Sequence, residues 1–186
     1  TGVQTCVLPI SAARREPDFD ELALLDLRRA LTPATGLGGE VAGGPEIDQP
    51  PTLPDLAEAV GRVDRLYHRD DYGAVLEVLP GLLGQVRAAV EVAGPGDRET
   101  ALELLAQVHQ VAGTALIQIR SLDLAHRALS DGLAAADAAG NPVLGASLVT
   151  TMCWLLLRQG RHIEAERLAI ATADRVEPRF GPGAEP

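Results

Sequence analysis

Four uncharged polar residues, Gln107, Gln110, Thr114 and Gln118, recur at i, i+3, i+7 and i+11. On a helix that spacing places them on one stripe. Amides and hydroxyls both donate and accept hydrogen bonds, which suits a peptide backbone or a polar small molecule. A solvent face in a chain that is 23% charged would ordinarily carry Glu or Arg. Two plainer readings stand beside the ligand-binding one: a hydrogen-bonded seam between helices, or simple surface. Trp154, the only tryptophan, adds a large apolar face with one N–H donor, although a lone Trp in an apolar helix is more often core than contact.

Other chemistry finds no support in the spacing. The histidines at 68, 109, 126 and 162 never pair at i, i+4, and HExxH is absent. Gly145-Ala-Ser-Leu-Val149 lacks the second glycine of a nucleophile elbow and falls in mid-helix. Glu99/Glu103 and Glu164/Glu166 read as solvated helix faces, and Asp70-Asp71 as a turn with an N-cap. Cys6 and Cys153 are too few for a disulfide framework or a zinc site and read as reduced thiols, Cys153 buried in a helix. No catalytic residue, metal or cofactor is expected. An enzyme would need carboxylates that converge only in space.

The elements that must position these residues follow from composition and periodicity. Ala (29) and Leu (28) make up about 31% of the 186 residues, with five aromatics, a mix that favours helix over sheet. Net charge is −10, and all 16 bases are arginine. Phosphate affinity rests on clustered bases, so a DNA-binding domain within these residues is excluded, as are a collagen and a membrane protein. The expected compartment is the cytoplasm. The chain starts at Thr1 rather than Met and reads as a piece of something longer.

Residues 1–31 read as an N-terminal segment with one amphipathic helix, capped at Asp18 with Glu21 three residues on and stopped at Thr32-Pro33. Residues 32–54 hold five Gly and five Pro and read as a flexible linker. Gly36 to Gly39 has neither the strand nor the Lys-Ser/Thr of a phosphate loop. From 55 to 178 the apolar period predicts six helices in three pairs: from Pro54-Asp55, from Asp70-Asp71 with a kink at Pro80, 98–120, from Ser121 or Asp123 to Ala139, 143–159 and 162–176. Residues 179–186 read as a frayed tail.

Arg158-Gln-Gly-Arg-His-Ile-Glu-Ala-Glu-Arg-Leu-Ala169, followed by Pro178, resembles the turn and second helix of a tetratricopeptide repeat. Gly113 and Ala125 stand twelve apart, as that motif's small residues do, while in the first pair Val75 replaces the small residue. The implied fold is all-α: about three tetratricopeptide-like hairpins forming a short right-handed superhelix after one short helix and a linker. An ordinary helical bundle is the alternative. The layout is also similar to the C-terminal region of actinobacterial regulators that carry an N-terminal Xre-type helix-turn-helix, although no helix-turn-helix is present here.

The tetratricopeptide resemblance implies a concave groove lined by the first helix of each pair. It would place there Gln107, Gln110, Thr114, Ile117 and Gln118 from the second pair, and Ser147, Thr150, Trp154, Leu157 and Arg158 from the third. A looser alignment adds Val60, Asp64, Tyr67 and His68 from the first pair. The function it implies is a ligand-sensing or protein-interaction module of a transcriptional regulator, with a homodimer as its expected assembly. A peptide, small molecule or protein would occupy the groove, and DNA would be read by a domain outside this chain. The alternative is a free-standing protein-interaction scaffold.

Overall fold

The structure, a computed structural model, describes residues 21–35, 41–42 and 49–176. The Asp18 cap, Cys6, the Gly36–Gly39 run and the tail from residue 179 lie outside these. Seven helices are described: α1 Glu21–Leu31, α2 Leu53–Tyr67, α3 Tyr72–Val92, α4 Arg98–Gln118, α5 Leu122–Ala138, α6 Pro142–Arg158 and α7 His162–Val176. The architecture is all-α. Within the segment expected to be a linker, Ala34–Thr35 (β1) pairs antiparallel with Val41–Ala42 (β2), so backbone groups there find partners of their own.

Local chemistry explains where the helices stop. Four of the connections share one geometry. Asp70, Arg120, Gly140 and Gly160 adopt φ of 60°, 66°, 68° and 77°. The next residue's N–H reaches back to the carbonyl five positions earlier: Asp71 to Leu66 (3.1 Å), Ser121 to Leu116 (2.9 Å), Asn141 to Ala136 (3.1 Å) and Arg161 to Leu156 (2.9 Å). This is the Schellman closure, with its left-handed residue just past the helix. The residue that closes one helix opens the next. Asp71 accepts from the Ala74 N–H and Asn141 from the Leu144 N–H. Each cap satisfies an otherwise orphaned donor.

Packing then sets the order of the helices in space. Sequence neighbours pack as hairpins α2–α3, α4–α5 and α6–α7. Between hairpins, α4 packs on both α2 and α3, and α6 on both α4 and α5. Small residues let these helices approach closely: a Cβ on Gly113 of α4 would lie 2.6 Å from Leu129 of α5, and one on Gly132 of α5 would lie 2.9 Å from Leu148 of α6. Ala125 and Ala165 are likewise buried. The core runs continuously from α1 to α7.

Helix α1 has no partner adjacent in sequence and finds one on the far side, against α3 and more lightly α5. Leu27 and Leu31 are fully buried there, each contributing roughly 2 kcal/mol of transfer free energy. Arg87 of α3 donates to the Ala30 carbonyl in the last turn of α1, a favourable place for a cation. By length and hydropathy alone α3 could cross a membrane. Its apolar character has a nearer use: Val75, Leu76, Leu79, Leu82, Leu83, Val86 and Ala89 are buried among the other helices. The helix runs through Pro80 as one element, held by the buried leucines on either side.

Candidate functional site

The first helices of the three hairpins, α2, α4 and α6, lie side by side with α4 in the middle. Across them opens a cleft of about 470 Å³. Its α2 wall is Ala57, Val60, Gly61, Asp64 and Tyr67, with His68 at the helix cap; its α4 wall is Gln107, Gln110, Val111 and Thr114; α6 contributes Thr151. Seven residues named from the sequence therefore share one cavity: Val60, Asp64, Tyr67, His68, Gln107, Gln110 and Thr114. The spacing that selects the α4 members is a single helical face, as expected from the period.

Hydrogen bonds fix several of these side chains. Gln110 Nε2 donates to Ser147 Oγ (2.8 Å) and Thr151 Oγ1 (3.3 Å), joining α4 to α6. The Thr114 hydroxyl donates to the Gln110 carbonyl at 2.6 Å. Gln118 lies beyond the lining and donates to the Tyr67 hydroxyl at 3.4 Å, joining α4 to α2. His68 Nδ1 lies 2.8 Å from the Asp64 carbonyl and 3.5 Å from its carboxylate. The seam reading of the glutamine stripe is thus realised by Gln110 and Gln118, while Gln107 stays exposed at the mouth.

The third hairpin follows the expected pattern less closely. Thr151, not Thr150, faces the cleft; Thr150 is exposed and its hydroxyl bonds back to the Ala146 carbonyl. Trp154 is half-buried and packs against the core rather than lining the cavity. Arg158 is exposed, and Leu157 is 50% exposed. A cleft needs a helix on each side, and among the described residues α6 has a first-helix neighbour only in α4. Ile117, expected on the groove face, is fully buried. Cys153 is half-buried, not buried; its Sγ lies 3.4 Å from the Ala165 carbonyl, and burial raises the thiol pKa.

Among the described residues, Asp64 is the only carboxylate on the lining, and no arginine lies on it. Tyr67 packs edge-on to His68, with ring centroids 5.3 Å apart, and at a tilt to Tyr72. The Tyr72 hydroxyl donates to Asp70 at 2.7 Å; burial, then that bond, push its pKa up to about 12. Sequence reasoning did not single out Val111, Ala57, Gly61 or Thr151, whose types carry no functional signal. It also passed over His109, which is 1% exposed with Nδ1 unpartnered. Burial, then Arg87 and Arg127, lower its pKa to about 3, so it is neutral in the fold. A second hollow, about 610 Å³, lies between residues 49–54 and the end of α3.

Among the described residues, no three His, Cys, Asp or Glu side chains gather as a metal site would require. No protein-family model, curated protein or solved structure matches the chain.

Proposed function

We propose that this chain is a binding module made of tetratricopeptide-like stacked hairpins, and that the α2/α4/α6 cleft is where its ligand sits. The observation that carries the reading is the convergence of Tyr67, His68, Gln107, Gln110 and Thr114 on one cavity that Ala57, Val60 and Val111 also line. A mostly apolar hollow with a few placed polar groups is the usual form of a ligand site. Neighbour packing of α2 on α4 and α4 on α6 supports the superhelical reading. An extended peptide or a polar small molecule fits the amides and hydroxyls on its walls.

We propose further that the module senses its ligand on behalf of a transcriptional regulator whose DNA-binding domain lies outside this chain. That step rests on the similarity of layout to Xre-type regulators. Control of this kind needs a ligand that binds two arrangements of the protein with different affinity. The alternative is a scaffold that gathers partners with no DNA-binding domain attached. A homodimer is the assembly we propose. Ile163 and Ile170, 64% and 55% exposed one heptad apart on α7, favour a protein contact there. Sedimentation equilibrium tests it: a monomer across the micromolar range removes the dimer.

The site itself is tested by panning a random peptide library against the immobilised protein. The expected result is an enriched motif whose binding is lost on Gln107→Arg, a change at an exposed mouth position. No enriched motif, or one indifferent to that change, would overturn the assignment.

A further inference from the structure

Hydrogen bonds within the cleft engage part of its polar inventory: Gln110 Nε2 is held by Ser147 and Thr151, the Thr114 hydroxyl by the Gln110 carbonyl, and the Thr151 hydroxyl by the Ser147 carbonyl. The exposed Gln107 amide is not among the engaged donors. The acceptors on the lining include Gln110 Oε1 and the Asp64 carboxylate, which lies 3.5 Å from His68 Nδ1.

Charge points more clearly to the ligand: among the described residues, one carboxylate and no guanidinium lie on the lining, in a protein of net charge −10. The Arg65 guanidinium stands close by. Its Nη1 lies 3.4 Å from where a Cβ on Gly61 would stand, one turn along α2, and it is not on the lining. Tyr67 lines the cavity three residues from Asp64 on α2, and a cation beside an aromatic ring gains from its quadrupole as well as from the carboxylate.

Resting on the proposed cleft, we infer that its ligand is cationic: a peptide that inserts one arginine or lysine side chain beside Asp64 and Tyr67. A guanidinium brings five donors in a fork that matches a carboxylate such as Asp64. An acidic ligand would meet Asp64 with no opposing arginine among the described lining residues.

The probes are blocked tetrapeptides, acetyl-Ala-Arg-Ala-Ala-amide, its citrulline counterpart, which keeps shape but not charge, and its glutamate counterpart. Each is titrated into 15N-labelled protein. The expected result is shifts at Asp64, Tyr67 and the Gln107 side-chain amide with the arginine peptide. Citrulline and Asp64→Asn should each weaken binding at least tenfold, and Arg65→Gln should strengthen it. Asp97→Asn, outside the cleft, should change nothing, and thermal melts of the variants should match wild type. Equal binding of the arginine and citrulline peptides, or preference for glutamate, overturns the cationic inference and leaves the cleft intact as a site. Shifts elsewhere in the protein, indifferent to Asp64→Asn, overturn both. No shift with the arginine peptide overturns the inference, while panning continues to decide the cleft.

Discussion

Gln110 on α4 and Ser147 on α6, 37 residues apart in sequence, are joined by a 2.8 Å hydrogen bond at the edge of the cleft. The bond ties the middle first-helix to the last and holds the Gln110 amide in one orientation. A double-mutant cycle with Gln110→Ala and Ser147→Ala, followed by urea denaturation, should give a coupling of about 0.5–1.5 kcal/mol. Strict additivity would mean that solution breaks the bond.

Glycines in the helices divide into two kinds. Gly113 faces the fully buried Leu129, whose Cγ and Cδ2 would lie 2.6 Å from an added Cβ. Overpacking should outweigh the roughly 1 kcal/mol of helix propensity gained, so Gly113→Ala should lose about 1–2 kcal/mol net. Gly145 of α6 has nothing within 4 Å, and Gly145→Ala should gain up to about 1 kcal/mol. Denaturation midpoints moving in opposite directions check the pair.

The four left-handed turns make a matching prediction. Arg120 holds φ of 66° with a full side chain, where glycine holds the equivalent positions 140 and 160. A non-glycine residue in that region costs about 1–2 kcal/mol. Arg120→Gly should therefore stabilise the fold by roughly 1 kcal/mol, and Gly160→Ala should destabilise it by a similar amount, both read from urea midpoints.

His109 predicts a pH dependence. Its pKa falls to about 3 in the fold, through burial first and then Arg87 and Arg127, from an ordinary 6.5. Between those values the unfolded chain holds the extra proton, so stability rises with pH across the window and is lost as pH falls below 6.5. From pH 7 to pH 5 the loss assigned to this residue is about 2 kcal/mol. Carboxylates titrate in part of the same range, so the measurement is the difference between wild type and His109→Leu. Parallel pH profiles for the two would refute it.

Much of this arrangement is legible in the sequence, for reasons visible at particular residues. Helix ends are local: Asp71, Asn141 and Gly160 are punctuation that acts within a few residues, and the apolar period needs only one helix to be read. Gln107, Gln110 and Thr114 share a face for the same reason. What escapes is whatever depends on a distant neighbour. That α1 lies on α3 is not written in either segment alone, because Leu27 and Leu31 would serve any apolar surface. Trp154 packs at the core edge because, among the described residues, α6 has a first-helix neighbour only in α4, and a side chain's identity does not report which helices flank it. Thr151 takes the place expected for Thr150 because a rotation of one residue along α6 leaves the composition unchanged. His109 looks like any polar residue on an amphipathic helix until Gly132 of α5 is brought against it, where an added Cβ would lie 3.0 Å from the His109 Cβ.

The central claim is that the α2/α4/α6 cleft holds the ligand. Titration calorimetry with a synthetic peptide taken from the panned pool tests it most directly, comparing wild type with Gln107→Arg at matched thermal stability. The account predicts saturable one-to-one binding to wild type and at least a tenfold loss, about 1.4 kcal/mol, in the variant. Equal affinity for the two proteins would contradict it.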